Sequence, residues 1–319
     1  MICPICQCPE LGFFLHLYDD RYGYPGFFKL KKCLKCDHAF LDCELNSSQL
    51  TNLYTNYYPR KNLDIESYKP QKEEGKFVTW LNGLNSSAFR WVPKKIRVLD
   101  IGCGFGESLG YHAARGCDVY GIEADENIQR VIDKFGYKVH IGLFNEQIYE
   151  PNFFDCITMD QVIEHVVDPL STLRDIEKIL KPGGLAVFST PNANGWGPRV
   201  FGKRWINWHT PYHLQFFSRR SIEIAAEHAG MKLEKCLTVT NSEWLLYQYL
   251  HLLSYPKQGE NSNFWLPTKT KATLFKKVIV RLLLLIHSIK INHLITRLFD
   301  SLGQGDNFVF VLKKHDTNS

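Results

Sequence analysis

From residue 96 onward, short apolar runs alternate with stretches whose apolar positions recur every three or four residues. Residues 96–101, 118–123, 137–141, 154–159 and 185–189 read as strands, and 108–115, 127–135 and 170–180 as helices. Lys181-Pro182-Gly183-Gly184 is a stop signal after the last of these helices. Short apolar strands separated by helices predict a parallel sheet joined by right-handed crossovers. A loop rich in Gly, Pro, Trp and His then fills 191–211, a helix spans 221–229, and strands six and seven fall at 231–240 and 306–312. The expected fold class is therefore α/β: a doubly wound, mostly parallel seven-stranded sheet of Rossmann-like type.

Residues 241–303 form a helical insertion between strands six and seven. Within it, Leu274, Val278, Leu282, Leu285 and Ile289 make one helical stripe, predicting a single amphipathic helix over 271–299. Lys276, Lys277, Arg281, Lys290 and Arg297 lie off that stripe. The expectation is a lid or homodimer helix packed on the sheet, with peripheral membrane contact as the alternative. Trp244 to Leu250 is equally apolar and could pack with it.

Composition narrows the class. The 319 residues are 45% hydrophobic and 22% charged, which is globular, and a net charge of +5 is too diffuse to mark a nucleic-acid binder. No leader pattern precedes Cys3, and no run of about 18 uncharged apolar residues occurs. A cytoplasmic protein with reduced thiols, possible membrane association aside, is the expectation.

The sharpest chemistry lies at Asp100-Ile101-Gly102-Cys103-Gly104-Phe105-Gly106. The spacing is G-x-G-x-G, not the G-x-G-x-x-G of dinucleotide sites, and Glu107 stands where pyrophosphate would need a helix start. Glu123 ends the second strand, where a carboxylate can accept both hydroxyls of a ribose. A phosphate-free turn with a ribose acid means a nucleoside ligand.

Here the chain resembles the class I S-adenosylmethionine (SAM)-dependent methyltransferases, in the small-molecule branch that includes ubiquinone-biosynthesis and sugar methyltransferases. The resemblance covers 96–240 and 306–314. It implies that Asp100, Gly102, Gly104 and Gly106 shape the methionine turn and that Glu123 binds ribose. It implies also that Gly142 and Leu143 flank adenine, and that Asp160 and Gln161 line the methyl-transfer channel. Glu164-His165-Val166-Val167-Asp168-Pro169 is similar to the E-H-V-x-D-P stretch of that branch. There it is linked to a divalent metal, but Gln161 replaces an expected Glu, which argues against a metal at Glu164 and His165.

Cys3-Pro4-Ile5-Cys6 and Cys33-Leu34-Lys35-Cys36 are two C-x-x-C knuckles with 26 residues between them. Their spacing predicts a closed, structural Zn²⁺ site of four thiolates. Cys8, His38 and Cys43 are expected bystanders, and Cys103, Cys117, Cys156 and Cys236 apolar fillers. The expected domains are a zinc module over 1–45, a helical connection over 46–95 and the methyltransferase domain over 96–319, with its insertion or lid at 241–303.

Methyl transfer needs alignment first and a base second. His213, then His209 and His165, are the candidates for the base. Residues 205–218 resemble the branch's acceptor-covering loop, including its H-L-x-x-F-S/T stretch. The expected acceptor is a small molecule: a sugar or sugar nucleotide of surface polysaccharide, or a lipid-linked form. An rRNA methyltransferase is the rival enzyme, although Asp160-Gln161-Val162-Ile163 lacks the Asn/Asp-Pro-Pro-aromatic signature of base N-methylation. A zinc-dependent scaffold with a relict SAM fold is the non-enzyme rival.

Overall fold

The computed structural model describes residues 1–42, 49, 52–59, 65–66, 68–267 and 273–316. Cys43, the expected boundary at residue 45 and the first two residues of the expected 271–299 helix lie outside them. The chain opens with β1 (Leu11–Leu17), β2 (Phe28–Cys33) and β3 (Ala39–Leu41), followed by a short α1 (Lys76–Asn82). The rest of the described connection is mostly single 3-10 turns, at Leu84–Ser86 and Ala88–Trp91.

The alternation then runs β4 (Arg97–Ile101), α2 (Glu107–Ala113), β5 (Asp118–Glu123), α3 (Gln129–Phe135), β6 (Lys138–Ile141), β7 (Phe154–Asp160), α4 (Pro169–Ile179) and β8 (Leu180–Pro191). After it come α5 (Trp196–Phe201), β9 (Gln215–Phe216), α6 (Arg219–His228) and β10 (Met231–Thr238). The chain ends with α7 (Ser242–Leu252), α8 (Leu274–Ser288), α9 (Ile291–Ser301) and β11 (Asn307–Lys314). The large sheet has the order β10-β11-β8-β7-β4-β5-β6. Its β4 to β8 members pair in parallel and β10 and β11 antiparallel. Val98 and Leu99 of β4 and Ile157 of β7 are fully buried, as strands covered on both faces require.

Two expectations need correction. The Lys181–Gly184 stretch is no break before strand five: β8 starts at Leu180 and absorbs it as a register shift opposite Phe154 and Cys156. The insertion's long helix is two, because Lys290 takes a left-handed φ of 69° and the pair bends by 60°. The N-terminal segment is joined to the rest of the chain: β3 pairs with β9, so the 205–218 loop completes the four-stranded sheet β1-β2-β3-β9. Cys3, Ile5, Cys33 and Cys36 share one apolar core with Phe217, Ile222 and Ala225. Leu17, Tyr22, Phe28 and Leu30 share another with Trp205, Trp208 and Tyr212.

Candidate active site and cysteine cluster

The glycine turn joins β4 to α2 with Gly102, Gly104 and Gly106 at φ of 71°, 56° and 76°. A Cβ on Gly102 would stand 2.6 Å from Val162 Cγ2, whereas one on Gly104 would meet nothing within 4 Å. The turn thus packs closely on one side and faces open space on the other. Gly102 and Cys103 anchor it by donating their backbone N–H to Ile122 O at 2.8 and 3.1 Å. Glu123 stands directly across: Oε2 accepts from Gly104 N at 2.8 Å and Oε1 from Asp125 N at 2.9 Å. Gly142 N donates to Glu123 O at 2.8 Å, and the next residue, Leu143, is 81% exposed. An apolar side chain held out beside a carboxylate suits a flat heterocycle linked to a diol.

Asp100 does not face this opening. It is buried, its two oxygens accept from Ser108 Oγ and from Thr158 Oγ1 (the latter at 2.8 Å), and burial pushes its pKa up to about 7. It ties β4, α2 and β7 together beneath the turn. Asp160 accepts from Ala88 N at 2.9 Å and from Ser189 Oγ; burial raises its pKa. Gln161, at φ 58°, donates to Ser189 Oγ at 3.0 Å and Asn307 Oδ1 at 2.9 Å. These residues occupy the C-terminal ends of β4, β5, β6 and β7, the ligand side of such a sheet.

A second cluster follows β7. Glu164 is fully buried, neither oxygen has a hydrogen-bond partner among the described residues, and burial pushes its pKa up to about 8. His213 Nε2 stands 4.0 Å from Glu164 Oε1. His213 Nδ1 bonds Asn207 O and His165 Nδ1 bonds Tyr212 O, both at 2.9 Å. A carbonyl only accepts, so each Nδ1 carries the proton and each Nε2 keeps its lone pair. Burial pulls His213 and His209 well below the ordinary imidazole value and His165 down to about 4, so all three are neutral near pH 7. His209 stacks on Tyr212 at 4.8 Å and meets His213 at 4.9 Å, completing the group of histidines that the sequence indicated.

Donor atoms of Glu164, His165 and His213 lie within 4.8 Å of one another, a carboxylate and two imidazoles able to hold a divalent cation. The third donor is His213, brought by the 205–218 loop, and not position 161. Sequence reasoning missed the covering residues: Tyr22 packs edge-on against His209 and Tyr212, and Tyr58 lies 5.4 Å from Tyr212. Their aromatic type was visible, but nothing in the chain's order links them to a loop about 150–190 positions away.

The four knuckle cysteines converge. Cys3 and Cys36 sulfurs, and those of Cys6 and Cys33, are 3.5 Å apart, and all four lie within 4.8 Å. A tetrahedron with bonds of about 2.3 Å has edges of about 3.8 Å, so the set fits one zinc ion. The contact between Cys3 and Cys36 lowers the pKa of Cys3 and raises that of Cys36, as expected of two thiols close enough to share a proton. His38 lies outside this group of donors, and its Nε2 bonds Gln215 Oε1 at 2.9 Å.

Residues 79–235 match the family described as "Methyltransferase domain". A Thiobacillus denitrificans protein named Ubiquinone biosynthesis O-methyltransferase is 29% identical over 178 residues, covering 50% of this chain and 77% of its own. A Ralstonia nicotianae protein of the same name is 35% identical over 126 residues, 36% of this chain and 53% of its own. Residues 79–235, just under half of the chain, form a class I SAM-dependent methyltransferase domain. The methyltransferase thus spans about three quarters of the first relative and about half of the second. Among solved structures, the Haemonchus contortus phosphoethanolamine N-methyltransferase 2 bound to S-adenosyl-L-methionine aligns at 20% identity and a TM-score of 0.47, over 74% of this chain and 53% of that one. The methyltransferase carries its glycine turn, Glu123 and the Glu164-His165 pair inside the matched segment, while both cysteine knuckles and the α8–α9 pair lie outside it.

Proposed function

We propose that this methyltransferase O-methylates a small-molecule acceptor, with a sugar or sugar nucleotide of surface-polysaccharide assembly as the acceptor class. The observation that carries the reading is the buried Glu164–His165–His213 cluster, whose carboxylate has no hydrogen-bond partner among the described residues, with Tyr22, Tyr58 and Tyr212 packed together beside the neighbouring His209. Polar groups at the centre can orient a hydroxyl, and flat rings can pack on a sugar or aromatic face. The acceptor oxygen attacks the sulfonium methyl in line. The C–O bond forms as the S–CH₃ bond breaks, S-adenosylhomocysteine leaves, and the hydroxyl proton passes to His213 Nε2. Neutral His213 is in the state that can take it. A cation held by Glu164, His165 and His213 would occupy the Nε2 lone pair instead, and would then supply Lewis acidity to the acceptor oxygen in place of the base. Zinc at Cys3, Cys6, Cys33 and Cys36 belongs to this reading as a structural ion.

A second acceptor class, a phenolic ring, is favoured by the name of the relatives. Labelled methyl from SAM, offered with a panel of sugar nucleotides and a panel of catechols, separates the two. Label in the sugar fraction is expected. Label only in the phenols would replace the first reading by the second, and no SAM binding by calorimetry would sink both. His213→Ala should lower kcat by roughly 10²–10⁴-fold with little change in SAM affinity.

A further inference from the structure

Helix α9 carries its polarity inside out. Asn292, His293, Thr296 and Arg297 are buried, whereas Ile291, Leu294, Leu298 and, one turn on, Leu302 are 41–61% exposed. The inner face is tied down: Arg297 donates to Trp80 O at 2.7 Å and to Thr240 O, and pairs with Asp300 at 2.8 Å. Helix α8 has no buried residue at all, and Leu274 and Phe275 at its start are 78% and 75% exposed. Helix α1, joined to α9 through the Arg297–Trp80 bond, adds exposed Phe77 and Trp80. A helix in water turns its apolar face to the core, so a face turned outward calls for an apolar neighbour.

Charge selects that neighbour. Residues 274–299 hold five Lys or Arg and no Asp or Glu. Two copies meeting face to face would set like charges against each other, because a two-fold interface repeats the same patch on both sides. An anionic lipid surface instead complements Lys276, Lys277, Arg281 and Lys290 while taking up the leucines between them. We propose that α1, α8 and α9 dock this methyltransferase on an anionic bilayer, lying in the plane of its interface. The helices do not cross it: no single helix among the described residues is long and apolar enough, and α9 cannot leave the protein without stripping Arg297 of its buried partners. Trp80 and Phe77 then sit at headgroup depth, where aromatic rings collect.

The inference stands apart from the acceptor reading and is tested without turnover. The full chain is sedimented with vesicles of phosphatidylcholine alone, or of phosphatidylcholine with about one-third phosphatidylglycerol. Expected is binding to the anionic vesicles only, released by salt. Leu294→Glu with Leu298→Glu should abolish it, and Lys276→Glu with Lys277→Glu should weaken it at least roughly 30-fold, about fivefold per basic residue. SAM affinity, measured on every variant, should stay at the parent's value and reports that the fold is intact. Parental binding indifferent to phosphatidylglycerol, or absent, overturns the proposal, as does full binding by the Leu294→Glu, Leu298→Glu protein. A parent that runs as a dimer, and becomes monomeric with those two substitutions, assigns the face to a second copy and overturns it too.

Discussion

His112 is fully buried in α2, and neither ring nitrogen has a hydrogen-bond partner among the described residues. Burial pulls its pKa down to about 3, from an ordinary 6.5. As pH falls below 6.5 the unfolded chain takes up this proton first, so the folded state loses stability until about pH 3, by about 1.4 kcal/mol per pH unit. His112→Leu removes the group at similar volume. Thermal melts should therefore show the variant above the parent, with a gap that widens as the pH is lowered from about 7 to about 4; a constant gap would contradict the assignment. Glu123 makes a different case at the same scale, since its carboxylate reaches both the glycine turn and the opening. Glu123→Ala should weaken SAM binding by calorimetry at a cost of about 1.5–3 kcal/mol, the range for hydrogen bonds to a charged group. The position of Glu123 was readable from a strand ending beside the glycine turn. The burial of Asp100 was not, because a motif letter does not say whether a carboxylate faces the ligand or the residues below it.

Among the elements, α6 shows how one cap joins two parts of the molecule. Ser218 Oγ accepts from Ser221 N at 3.0 Å and donates to Cys36 O at 2.7 Å, while Ser221 Oγ returns the cap to Ser218 N at 2.9 Å. Ser218→Ala should cost about 1 kcal/mol for the cap alone, read as a lowered melting midpoint. Rescue by Thr but not by Val would separate the hydroxyl's role from side-chain volume. Element boundaries were legible where periodicity was strong: β5 spans the expected 118–123, and β7 differs from expectation by one residue. The 271–299 stretch reads as one helix although its stripe, Leu274, Val278, Leu282, Leu285 and Ile289, ends just before Lys290. Periodicity constrains which face a residue takes, not whether the backbone at one position stays helical.

Across the whole molecule, the cysteine cluster is set in the same apolar core as α6. Zinc bound at these four cysteines would therefore couple to folding through that core. Metal analysis should give about one zinc per chain. Cys33→Ser with Cys36→Ser should lose it and lower the melting of the entire chain in one transition; a separate early transition with the main melt unmoved would mean an independent module. By itself the sequence determined the α/β alternation, the glycine turn with a carboxylate at the end of the next strand, and the two cysteine pairs. Each of these rests on local periodicity or on residues a few positions apart. Only the tertiary structure decided that β9 pairs with β3, that Tyr22 and Tyr58 pack with Tyr212 beside His209, and that His213 joins Glu164 and His165. Those contacts join residues tens to hundreds of positions apart, and they depend on packing that no single stretch of chain encodes.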